Sequence, residues 1–112
     1  MAGGLSVRMR AEPCRSLAFG SIGVGYAGIG TAMTNPIRVF LLQNLTDASV
    51  WFSFDGVNDH FPLPGLGHVI VDVSANKTQD TGWYLAEGDR LYCKRLGVPT
   101  TGSVYLTVFY GQ

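Results

Sequence analysis

One hundred and twelve residues are enough for one small domain and too few for two. Eight Lys and Arg balance eight Asp and Glu, only 14% of residues are charged, 46% are hydrophobic and fifteen are glycine. This excludes a disordered chain, which needs low hydrophobicity and high net charge, a general nucleic-acid binder, which needs a basic excess, and a disulfide scaffold or four-cysteine zinc site, since only Cys14 and Cys93 are present.

Many glycines beside few charges leave little polar surface for a small domain. The composition therefore predicts that part of the surface meets protein rather than water. Residues 1–10 carry Gly, Ser and Arg where a signal peptide would have an unbroken apolar stretch. No run reaches the ~18–20 apolar residues of a membrane span. A reducing cytoplasm is the expected compartment, with both cysteines as thiols.

Residues 1–36 read differently from the remainder. Five glycines fall between Gly20 and Gly30, interleaved with Ile22, Val24, Tyr26 and Ile29, and residues 20–31 carry no charge. Such a segment loses much entropy on ordering, yet it is too apolar for a solvated linker. It is expected to be an extended N-terminal arm lying on a neighbouring subunit, with Leu17, Phe19, Ile22, Val24, Tyr26 and Ile29 as contacts. The alternative is an edge strand or loop on its own domain. Formal charge is +3 for residues 1–46 and −3 for residues 47–112. A basic arm and an acidic body would suit head-to-tail docking between copies.

Gly23, Gly25 and Gly28 match G-x-G-x-x-G, with Asp47 near the ribose-binding spacing. That site needs a helix receiving pyrophosphate at its N-terminus, and Gly30 and Pro36 leave no room for one. Arg8, Arg10 and Arg15 make only a weak footprint for nucleic acid.

From Ile37 to Gln112 the chain reads as short strands with turn signals. Ile37, Val39 and Leu41 alternate with Arg38, Phe40 and Leu42, so both faces are mostly apolar. This predicts a central strand covered on both sides. Val50, Phe52 and Phe54 form a second strand, Asp55-Gly56 a tight turn, and residues 57–61 a short return. Pro62 and Pro64 are expected to break any ladder. Val69, Val71 and Val73 alternate with His68, Ile70 and Asp72. Residues 74–82 form a loop and residues 83–86 a short strand. Leu91 and Cys93 share one face of the next strand. Val104, Leu106, Val108 and Tyr110 share one face of the last. The predicted fold is an all-β, antiparallel, jelly-roll-like sandwich over residues 37–112, preceded by the arm over residues 1–36.

His60 and His68 flank the proline-rich turn, but a metal site wants three or four convergent ligands. Cys93, beside Lys94 and Arg95, reads as a small buried hydrophobe rather than a nucleophile, there being no oxyanion element. Trp51, Trp83 and Tyr84 would form a sugar-stacking platform in a host-attachment module if they shared a surface. Large aromatics more commonly fill a core or an interface. The chain is read as a non-enzyme without catalytic residue, metal or cofactor.

Several segments carry a resemblance: Gln43-Asn44-Leu45-Thr46-Asp47, Phe52-Ser53-Phe54-Asp55-Gly56, Ser74-Ala75-Asn76-Lys77-Thr78, Ala86-Glu87-Gly88 and Pro99-Thr100-Thr101-Gly102-Ser103-Val104-Tyr105. In strand and turn grammar the stretch from Ile37 to Tyr110 resembles small β-sandwich structural proteins of tailed-bacteriophage virions. The resemblance implies a capsid decoration or cement protein, or a neck or tail ring component. Its partners would be its own copies and the major capsid protein, as a homo-oligomer, with no nucleic acid or membrane. Its place would be the virion, assembled in the host cytoplasm.

Overall fold

The structure is a computed structural model that describes residues 9–72 and 86–111. Its strands are β1 (Met9–Ala11), β2 (Arg15–Ala18), β3 (Ala27–Gly28), β4 (Val39–Asn44), β5 (Val50–Ser53), β6 (Phe61–Leu63), β7 (Gly67–Asp72), β8 (Tyr92–Arg95) and β9 (Ser103–Gly111). A 3-10 turn spans Phe19–Ser21. The first sheet has the order β1-β9-β4-β7, with β2 also pairing β9. The second has the order β3-β8-β5-β6. Every pairing is antiparallel, and the two sheets pack as a β-sandwich.

The period-two patterns set which side chains meet between the sheets. Phe40 and Leu42 of β4, Val50 and Phe52 of β5, Cys93 of β8, and Val104, Leu106 and Val108 of β9 are fully enclosed. Val69, Val71 and Tyr110 pack on this core from the rim. Burying each large side chain is worth roughly 1.5–3 kcal/mol. Val73 and the expected strand at residues 83–86 lie outside the described residues, except Ala86.

The early segment belongs to this sandwich. β2 pairs β9 and β3 pairs β8. Ile22, Ile29, Met33 and Ile37 all sit in the core. Residues 9–36 are therefore not an arm separate from the body, and the domain boundary expected at residue 36 has strands of both sheets on its N-terminal side. The physical reason is that the glycines let the backbone lie close against its own strands. The Ile29 amide donates to Leu91 O at 2.8 Å and the Arg95 amide donates to Gly23 O at 2.9 Å.

A bulge separates β1 from β2. Ala11 faces Phe109, whereas Arg15 faces Leu106, so one extra residue is accommodated around Pro13. In a regular strand, Glu12 and Arg15 would point to opposite faces. The bulge turns both inward, where Glu12 is 5% and Arg15 7% exposed. Arg15 Nη2 lies 2.5 Å from Glu12 Oε1. Arg15 also donates to Thr31 O at 2.7 Å and Ala32 O at 2.9 Å. Glu12 accepts from the Thr34 amide at 3.2 Å and Asn35 Nδ2 at 2.9 Å. The pair thus clasps residues 31–35 to the sheet edge. Burial pushes the Glu12 carboxyl up, but hydrogen bonds from Arg15, Asn35 and Thr34 outweigh it and hold the group below its ordinary range.

Two glycines make room for arginines. A Cβ on Gly30, at φ 65°, would stand 2.7 Å from Arg15 Cβ, and one on Gly28 would stand 2.2 Å from Arg90 Cζ. Arg90 donates to Gly30 O. Arg15 is paired with Glu12 within its own fold, and the +3 of residues 1–46 already counts both.

Two strand expectations are corrected. Residues 57–61 do not form the return strand. Instead β6 runs through Pro62, tolerated because β6 is an edge and needs no donor on its outer side. A cover on both sides of β4 was expected; its inward side is fully enclosed and its outward side half-buried.

Candidate functional site

The six predicted arm contacts separate into three groups. Ile29 is 0% and Ile22 5% exposed in the core, and Leu17 packs on that core. They are not free to meet a neighbour. Tyr26 is half-buried on its own second sheet. Only Phe19 and Val24 project from the surface, at 39% and 76% exposure. G-x-G-x-x-G ends in β3 rather than in a helix. Asp47, the residue at ribose-like spacing, accepts from the Thr100 amide at 2.7 Å and from Thr100 Oγ1, and these bonds hold its carboxyl below the ordinary range. It ties one loop to another.

The remaining candidates are engaged in structure. His60 Nδ1 accepts from the Phe54 amide at 3.0 Å, while His68 lies in β7 of the other sheet, so the two histidines are not brought together. Among the described residues no group of three or more His, Cys, Asp or Glu could hold a metal, and no helix is long and apolar enough to cross a membrane. Cys93 is fully enclosed, and burial pushes its thiol up to about 12, the opposite of an activated nucleophile. Trp51 pairs between Pro62 and Lys94 on the second sheet, whereas Trp83 and Tyr84 of the expected sugar platform lie outside the described residues. In the sequence Asn44 and Thr46 stand out only within the turn grammar of residues 43–47. Buried Asn44 Nδ2 donates to Ala48 O, Leu63 O and Pro64 O at 2.9, 3.0 and 3.1 Å, and its Oδ1 accepts from Thr46 Oγ1 at 2.6 Å. They fasten the loops at one end of the sandwich.

The outer face of the second sheet is roofed by the chain itself. Gly56, at φ 76°, comes so close to the Tyr92 ring that a Cβ there would be 3.3 Å away. Asp55 shapes this roof by accepting from the Asn58 and Val57 amides at 2.9 and 2.8 Å, bonds that hold its carboxyl far below the usual range. Asp59 accepts from Tyr26 Oη at 2.6 Å and pairs with Lys94 Nζ at 2.9 Å, and Lys94 lies 4.8 Å from the Tyr26 ring centroid. Burial and the Asp59 carboxylate raise the Tyr26 phenol, which stays protonated and committed to this contact.

The outer face of the first sheet is built differently. Across it run the rows Asp72–Val39–Phe109, Ile70–Leu41–Thr107 and His68–Gln43–Tyr105. Ala11 and Met9 continue the Phe109 side, with Met9 66% exposed, and Ile70 on the opposite edge is 64% exposed. Cys14 is exposed there, with its Sγ accepting from Thr107 Oγ1 at 3.6 Å. Val39, Leu41, Gln43, Tyr105, Thr107 and Phe109 of these rows are half-buried, and His68, Ile70 and Asp72 at the β7 edge are exposed. Apolar side chains in adjacent rows form a contiguous patch rather than scattered exposures.

No family model and no curated protein matches this chain. A solved structure of Bacillus endospore appendages, described as a novel family of disulfide-linked pili, is similar over 95% of this chain and 90% of that chain, at 12% identity and a TM-score of 0.44.

Proposed function

We propose that this chain is a structural protein of a tailed-bacteriophage virion, acting as a capsid decoration or cement protein. Its partners are its own copies and the major capsid protein. The observation that supports this reading is the apolar outer face of the first sheet, carried by half-buried Val39, Leu41, Tyr105 and Phe109 and by exposed Ile70. A rigid sandwich presenting such a face acts by contact. Burying it across a seam between shell subunits stabilises the assembled lattice by mass action, and symmetry repeats each contact.

Quantitative mass spectrometry and electron cryo-microscopy of purified particles test this reading. The expected result is a fixed copy number on the shell, and earlier genome release on heating when the protein is missing. Absence from purified particles would overturn the virion role. A position at the neck or tail would overturn the cement role.

A further inference from the structure

The sandwich has four sheet edges among its described residues, and three are blunted. The β1/β2 edge is broken by the bulge and by Pro13. β3 is two residues long, and β6 is three residues long with Pro62 at its centre. β7 has none of these devices. It runs unbroken for six residues, Gly67–Asp72, with no proline, lysine or arginine and with Ile70 64% exposed. An edge of this kind is a template for pairing with another strand.

The sequence of β7 also indicates which strand. An antiparallel pairing of β7 with the β7 of a second copy, centred on Ile70, places Ile70 opposite its own counterpart. The same register places Val69 opposite Val71 and His68 opposite Asp72, each twice. His68, Ile70 and Asp72 share the outer face, and Val69 and Val71 share the inner one. Apolar residues then meet apolar residues, and no two like charges stand opposite each other. Such self-complementarity about a twofold axis defines an isologous interface. The pairing would join two five-stranded sheets into one and make their outer faces, with Val39 and Leu41, continuous.

We propose that β7 is a homodimer edge, pairing antiparallel with β7 of a second copy about Ile70. This rests on the reading that the protein works through contacts between its copies. Opposed Cα atoms in an antiparallel pair lie ~4.5–5.5 Å apart, within the ~4.4–6.8 Å that a disulfide spans. The test is Ile70→Cys in a Cys14→Ser background under mild oxidation, beside Val98→Cys in the same background, Val98 being 66% exposed in the loop after β8. Thermal melts verify that each variant folds. The dimer band should form at position 70 and not at position 98. A charge exchange supplies an independent test: Ile70→Glu and Ile70→Lys should each weaken dimerisation roughly tenfold, and an equimolar mixture of the two should restore it. Absence of cross-linking at position 70, or failure of the mixture to recover, would overturn the pairing. A protein that associates without linking at position 70 overturns the pairing and leaves the structural role standing. Absence from particles overturns the structural role whatever position 70 does.

Discussion

Tyr92, on the outer face of the second sheet, lies beneath Gly56 and beside a loop shaped by Asp55. Leu41, on the outer face of the first, is half-buried and flanked by Ile70 and Thr107. Both positions are central and outward-pointing in a half-buried strand. They differ in what the chain does next. The second sheet is finished internally, with polar groups such as Asp59, Tyr26 and Lys94 satisfying one another. The outer face of the first sheet carries half-buried Val39, Leu41, Tyr105 and Phe109 beside exposed Ile70. One sheet face serves the stability of the subunit, and the other is the face proposed to meet a neighbour.

This contrast predicts that stability and association respond to different residues. The largest stability effect belongs to the clasp that holds the early segment, from which Tyr26 reaches the second sheet. Glu12→Ala leaves the Arg15 guanidinium buried without its carboxylate and should cost about 3–5 kcal/mol in urea unfolding. Acid should loosen the same clasp. The Glu12 carboxyl is held below its unfolded value of roughly 4.3. Its contribution is therefore fully present above that value and lost as pH falls through the lowered one. Asp47, Asp55 and Asp59 are shifted in the same direction and should add to the loss. Melting temperatures should hold near neutrality and fall below pH ~4, more steeply for the wild type than for Glu12→Gln. The smallest effect is expected at Tyr26→Phe. It removes a half-exposed hydrogen bond and should cost at most about 1 kcal/mol in thermal unfolding, with sedimentation unchanged.

Much of the fold was legible in the sequence because strands report their own period. Val104, Leu106 and Val108 alternate cleanly and are all enclosed. Leu91 and Cys93 point inward together as their spacing implies. The bulge around Pro13 was not legible, because a three-residue spacing puts Glu12 and Arg15 on opposite faces of any regular strand. The early segment was misjudged for a related reason. Glycines that read as entropy cost prove, at Gly28 and Gly30, to be the spaces that arginines occupy. Prolines at residues 62 and 64 suggested a break, but an edge strand accommodates Pro62. The candidate face was half legible. Period two revealed that Val39 and Leu41 oppose Phe40 and Leu42, but it carries no information about whether a second layer covers them.

The central claim is that the outer face of the first sheet is a contact surface between copies of this chain. Sedimentation velocity over a concentration series, for wild type and Leu41→Glu, tests it most directly. The wild type should associate beyond a dimer as concentration rises. Leu41→Glu should stop at the β7-paired dimer while keeping its unfolding free energy within about 1 kcal/mol of wild type. Identical sedimentation of the two proteins across the series would contradict the account.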